Sequence, residues 1–187
     1  MKPDYPLSSG DELTALARHN GINSWSECIR FVQALPYGRN RNRSDFSLVL
    51  SEKRGTCSSK HAFLKQIADL NHIPDIKLIL GIYKMNADNT PGIGTVLADH
   101  SIDFIPEAHC YLKIDGQRLD ITNPGSDVAS IENDILQEKG IEAVQVAEFK
   151  VNYHQNFLKK WLQSTNSTFE FEEIWSIREE CIRNLAQ

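Results

Sequence analysis

The chain has 187 residues and a net charge of −5, from 20 Lys and Arg against 25 Asp and Glu. With 41% hydrophobic and 24% charged residues it reads as a folded globular protein and not as a disordered one. The acidic balance excludes an ordinary duplex nucleic-acid binder. No run approaches the roughly 18 apolar residues of a membrane span.

Residues 1–12 lack the apolar core of a signal peptide, and the expected compartment is the cytoplasm. The length predicts a single domain over 1–187. Its core spans about 24–151, with a helical extension over about 152–187. Residues 11–20 predict a short helix stopped at Gly21. Residues 24–35 predict a second, with Trp25, Cys28, Ile29, Val32 and Leu35 on one stripe, so Cys28 belongs to the core.

A polar loop and a short helical piece lead to Arg54-Gly55. Residues 57–70 predict a helix with Phe63, Leu64, Ile67 and Leu70 on its apolar stripe. Thr56 can cap it, and Gly55 frees the backbone before it. Residues 76–85 predict a central strand. Residues 86–107 show no period and predict a long loop, either a cover over a cleft or a plain surface segment.

Residues 109–122 predict a hairpin turning at Asp115-Gly116. Residues 143–151 predict a further strand, and 153–163 and 169–185 predict helices. In the last, Trp175, Ile177, Cys181, Ile182 and Leu185 supply a buried side, which makes Cys181 structural.

The four cysteines are Cys28, Cys57, Cys110 and Cys181, widely spaced and without a CxxC pair. In a reducing compartment each is either a small buried apolar group or a reactive thiol. Cys57 stands where a loop enters a helix. There the macrodipole and unpaired backbone N–H groups favour a thiolate and can receive an oxyanion. The plainer alternative is a small residue in a first helical turn.

A cysteine nucleophile needs a base, and the base needs an orienting group. A two-residue turn pairs Ile114 with Gln117, Lys113 with Arg118 and Tyr111 with Asp120. That register puts His109, Tyr111, Lys113, Arg118, Asp120 and Thr122 on one wet face. Cys110, Leu112, Ile114, Gln117, Leu119 and Ile121 take the other, which packs on the core. His109 and Asp120 then become diagonal neighbours, an imidazole beside a carboxylate. Ordinary polar residues on an exposed hairpin are the alternative.

Taken together, these segments resemble the transglutaminase-like superfamily. The residues are Gly55-Thr56-Cys57-Ser58-Ser59-Lys60-His61, the strand with Leu78-Ile79-Leu80-Gly81, His109-Cys110-Tyr111, and Leu119-Asp120-Ile121-Thr122. The resemblance spans about residues 50–125 and keeps the superfamily's motif order. It implies an α+β, papain-like fold in which a helix bearing the Cys packs on an antiparallel sheet bearing the His and Asp, here with extra helices at both ends.

The resemblance further implies Cys57 as nucleophile, His109 as base and Asp120 as orienting acid. The implied reaction is cofactor-free attack on a peptide, amide or ester carbonyl through a thioester. Many members carry Trp where this chain has Tyr111. The upstream oxyanion partner is unassigned among Trp25, Gln33 and Tyr37. The superfamily also contains members without activity, so a non-catalytic binding module is the rival class.

Cys57 and His61 share a helix face, and with His109 and Cys110 they suggest zinc. Adjacent strand residues point to opposite faces, which argues against a metal site. His61 is then a supporting or packing residue. Residues 38–60 carry a local excess of +4, from Arg39, Arg41, Arg43, Lys53, Arg54 and Lys60 against Asp45 and Glu52. That excess is either a solvated loop or a means of steering an anion. His19, His72, His100 and His154 have no evident partners.

Overall fold

The computed structural model describes residues 4–165 and 167–185. It is an α+β protein built on one four-stranded antiparallel sheet. The elements run α1 (Glu12–His19), α2 (Trp25–Ala34), α3 (Leu48–Ser51), α4 (Cys57–Leu70), β1 (Ile76–Met85), α5 (Val96–Asp99), β2 (Ile105–Ile114), β3 (Gln117–Leu119), β4 (Ile135–Ile141), α6 (Glu148–Ser164) and α7 (Phe171–Asn184). The sheet order is β3-β2-β1-β4. Among the described residues no helix is long and apolar enough to cross a membrane.

Local signals set the element ends. Asp11 caps α1 through the Thr14 N–H, and Ser24 with Glu27 forms a capping box on α2. Gly21 follows α1 in the left-handed region. The hairpin turns on Asp115 and Gly116, both at positive φ, as a two-residue hairpin turn demands. Its register is Ile114 with Gln117, Lys113 with Arg118 and Leu112 with Leu119. β3 ends there, so Tyr111 has no ladder partner at Asp120, which lies just past the strand.

Both faces of the sheet are covered. Leu78, Leu80, Ile82, Ala108, Cys110 and Leu112 pack with α4 and the N-terminal helices in one apolar cluster. Ile79, Tyr83, Met85, Ile105 and Tyr111 pack with α5, α6 and α7 in a second. The face expected to be wet is therefore buried at its middle, with Tyr111 fully enclosed. The reason is the C-terminal pair of helices, whose Leu158, Leu162, Ile174, Ile177 and Cys181 lie on that side. Towards the turn this face is polar, and there Lys113 and Arg118 bind Glu138 of β4 at 2.7 and 2.8 Å.

Two expectations need correction. Residues 143–151 are not a strand: a 3-10 turn, Ala143–Val146, runs into α6. Ala143 and Val146 face the core while Val144 is 68% exposed, a helical spacing that the short apolar run concealed. The strand in this region is β4, an edge strand in which only Ile141 is fully buried, so it lacks an apolar signature. Residues 86–107 are not one loop. They contain a 3-10 turn (Pro91–Ile93), α5 and the first residues of β2, anchored by buried Ile93, Val96 and Leu97.

α7 is tied to the sheet by a buried ion pair. Arg178 donates to both oxygens of Glu107 on β2, at 2.5 and 2.7 Å. His154 of α6, expected to lack a partner, donates to the Pro106 carbonyl at 2.7 Å. Burial raises the Glu107 carboxyl, but Arg178 outweighs it and holds the group down to about 2. A depressed carboxyl stabilises the fold above its unfolded value near 4.5, and that stabilisation is lost as pH falls through the folded value.

Arg178→Met should therefore cost about 3–5 kcal/mol in urea unfolding at neutral pH, since it strands a buried charge. Adding Glu107→Gln should recover much of that loss. Equal stabilities of the single and double variants would refute this account of the pair.

Candidate functional site

α4 begins at Cys57 because Thr56 and Ser59 cap each other: the Ser59 hydroxyl accepts the Thr56 N–H at 2.9 Å, and Thr56 answers to the Ser59 N–H. Gly55 is needed here for space and not for a left-handed backbone. A Cβ on it would stand 2.8 Å from Lys60 Cγ and 2.9 Å from Ser59 Oγ.

Two buried residues of α4 hold the segment that follows β3. Lys60 is fully buried and donates to the carbonyls of Leu35 at 2.5 Å and Thr122 at 2.6 Å. Burial pulls its ammonium down to about 8. His61 accepts the Ile121 N–H on Nε2 at 3.0 Å. Its proton is therefore on Nδ1, which donates to the Cys57 carbonyl at 2.6 Å. Burial brings His61 down to about 4, so it stays neutral, and its 3.6 Å approach to Asp120 is no ion pair. With both ring nitrogens used by the backbone, His61 is a framework residue and is not free to ligate a metal. Among the described residues no group of three or more His, Cys, Asp or Glu side chains converges as a metal site.

Held at Ile121 and Thr122, the chain presents Asp120 to His109. Asp120 Oδ2 accepts the His109 Nε2–H at 2.8 Å. Its Oδ1 accepts the Thr122 N–H at 2.8 Å and hydroxyl at 2.5 Å. Burial favours the neutral carboxyl, but His109 and Thr122 outweigh it, so Asp120 stays ionised far below the usual carboxylate range.

The His109 ring is flanked by Tyr83 and Tyr111, each at 6.1 Å between ring centres. Burial opposes its charge, yet Asp120 and then Cys57 hold the imidazole protonated well above its ordinary value. Because Nε2 is taken by Asp120, Nδ1 is the nitrogen left for the thiol. The three residues selected from the sequence, Cys57, His109 and Asp120, border one cleft.

Sequence reasoning missed a fourth group. Lys150 of α6 is 8% exposed, and its Nζ lies 2.6 Å from Ser58 Oγ and 3.9 Å from Cys57 Sγ. Burial pushes the Cys57 thiol up; Lys150 first, then His109 and the Cys110 N–H, outweigh it and bring it down to about 6. The short β3 pairs with β2 only from Leu112 onward, which leaves Cys110 without a β3 partner. Burial pushes the other three thiols up, Cys28 to about 12 and Cys181 to about 11, and at Cys110 it outweighs the opposing pull of Lys150 and His109. The overlooked signal was the spacing Lys150, His154, Leu158, Leu162, all buried at every fourth residue of α6.

Of the three oxyanion candidates, Tyr37 borders the cleft beside Cys57, whereas Trp25 and Gln33 do not. A backbone bridge to Gly55 fixes Tyr37 relative to the start of α4. Burial, then Cys57, push its hydroxyl well above the ordinary phenol value, so it remains a donor.

Cys57 lies between two openings. On the His109 side is a cleft of about 600 Å³, walled in part by residues 88–92 and 122–127. On the Lys150 side is a smaller recess of about 140 Å³.

Alkylation of Cys57 by iodoacetamide should follow a titration centred near pH 6. Lys150→Met should move that midpoint to higher pH, while Lys150→Arg should keep it low. A wild-type midpoint at about 8.5, the value of a free thiol, would contradict the arrangement.

No protein-family model matches this chain, and no curated protein or solved structure matches it either, so the case for its chemistry rests on the geometry of the site.

Proposed function

We propose that this protein is a cysteine-dependent amide or ester hydrolase or acyltransferase with a papain-like, transglutaminase-like core. The supporting observation is the Asp120–His109 hydrogen bond lining the same cleft as Cys57, the one cysteine whose thiol is lowered. The four cysteines are free, which fits a reducing, cytoplasmic setting.

The steps follow from the positions of the groups. Cys57 Sγ attacks the carbonyl carbon of a peptide, amide or ester, forming an S–C bond. Charge moves to the carbonyl oxygen, where the Tyr37 hydroxyl and the N–H groups at the start of α4 can receive it. The bond to the leaving amine or alcohol breaks, and His109 gives that group its proton from Nδ1. A thioester on Cys57 remains. Water or an amine then attacks the thioester, His109 takes the proton, and the S–C bond breaks to restore the thiolate. Asp120 keeps the ring oriented and stabilises the imidazolium throughout. No step calls for a cofactor.

The reaction is tested with an activated ester such as p-nitrophenyl acetate, by intact-mass detection of an acetyl group on Cys57. Wild type should acylate and turn over, and His109→Ala should acylate about 10²- to 10⁴-fold more slowly. Turnover that persists undiminished in Cys57→Ala would remove the proposal. A reactive Cys57 that never acylates would favour the non-catalytic binding module.

A further inference from the structure

The two sides of Cys57 differ in charge. Among the described residues no Lys or Arg borders the larger cleft, whereas Asp88, Asp127, Asp120 (paired with His109) and Glu107 (paired with Arg178) do. Among the described residues four cations border the smaller recess, Arg39, Arg43, Lys150 and Arg178, against two carboxylates, Glu107 and Glu179. Both carboxylates are already engaged. Glu107 is held bidentate by Arg178, and Glu179 accepts from Arg39 at 2.7 Å and Arg178 at 2.5 Å.

Lys150 and Arg43 are therefore in excess. Among the described residues neither has a carboxylate within ion-pair distance. For exposed Arg43 that means little. For Lys150, 8% exposed, it means a buried cation whose nearest anion is the Cys57 thiolate. A buried charge without a counter-charge is costly. Acylation of the sulfur removes that anion and leaves the cation alone, unless the acyl group brings a negative charge of its own.

We propose that the recess bordered by Lys150, Arg39 and Arg43 is a carboxylate-binding subsite. The group it takes is a carboxylate lying within a few bonds of the carbon that Cys57 attacks. The recess is large enough for such a group on a short stem and too small for a folded partner. The rest of the substrate lies in the larger cleft, where neutral or cationic groups fit. The excess of positive charge in residues 38–60 thus has a use, since Arg39 and Arg43 are the members of that segment whose side chains reach the recess. The substrate assignment rests on the thiol chemistry proposed above; the subsite itself does not.

Two alkylating agents of similar size separate the two ideas. Iodoacetate carries a carboxylate next to the reacting carbon, and iodoacetamide carries a neutral amide. At pH 7 and low salt the ratio of iodoacetate to iodoacetamide rates at Cys57 should exceed that of free cysteine by about tenfold or more. The ratio should fall towards the free-cysteine value in Arg39→Gln/Arg43→Gln. Both substitutions are at the surface end of the recess.

A wild-type ratio equal to that of free cysteine overturns the subsite and leaves the reactive thiol standing. A Cys57 inert to both agents overturns the thiol chemistry. In that case the subsite is judged by succinate binding to Cys57→Ala, read as a rise in Tm. The rise should exceed that in sodium chloride of equal ionic strength and should be lost in the triple variant with Arg39→Gln/Arg43→Gln. No excess over sodium chloride overturns the subsite.

Discussion

A charged sulfur in a buried position is the constraint on which the arrangement depends. Cys57 is 8% exposed, and burial by itself would keep its thiol protonated. The thiolate is favoured only because Lys150 and His109 outweigh that penalty, and each of those groups must be supported in turn. His109 is charged because Asp120 binds its far nitrogen. Asp120 is in place because Lys60 and His61 hold the two residues after it by their backbone groups. Lys150 is in place because α6 packs across β2 and lays the ammonium on Ser58. α4 thus presents the sulfur and also, through its third and fourth residues after Cys57, the means of positioning the carboxylate two contacts away.

The C-terminal helices are part of the same device. α6 and α7 bury the sheet face that would otherwise expose Tyr111, and they enclose the region around His109. They also carry Lys150 and Arg178, which set the sign of the recess next to the sulfur. The larger opening on the other side is bordered by Asp88, Asp127 and the Asp120–His109 pair, with apolar walls from Tyr83, Ile131 and Leu185. In the proposed reading, a substrate meeting Cys57 between these sides is held by opposite preferences at its two ends, which orients its carbonyl as well as binding it.

Part of this was legible in the sequence for identifiable reasons. A loop-to-helix cysteine, a positive-φ pair at Asp115-Gly116 and the two-residue period of strands together bring Cys57, His109 and Asp120 into one region. The hairpin register follows from the turn, and it is observed as far as Leu119. Lys150 was hidden because Ala143–Val151 alternates like a strand over a stretch too short to show a helical period. β4 was hidden because an edge strand needs no apolar face. The Glu107–Arg178 pair joins residues 71 positions apart, and no local pattern marks such a contact. Gly55 was recognised as necessary for the wrong reason: its backbone is ordinary, and the requirement comes from Lys60, whose buried position is a tertiary fact.

The central claim is that the resting site holds a thiolate beside an imidazolium and not a thiol beside a neutral ring. The most direct measurement is an NMR titration of the His109 ring nitrogens in wild type and in Cys57→Ala. The account predicts a ring protonated on both nitrogens through neutral pH in wild type, and a lower protonation midpoint once the sulfur is removed, since Cys57 is one of the groups that hold the proton there. A His109 ring that is neutral at pH 7 in wild type, and unchanged by loss of the sulfur, would contradict it.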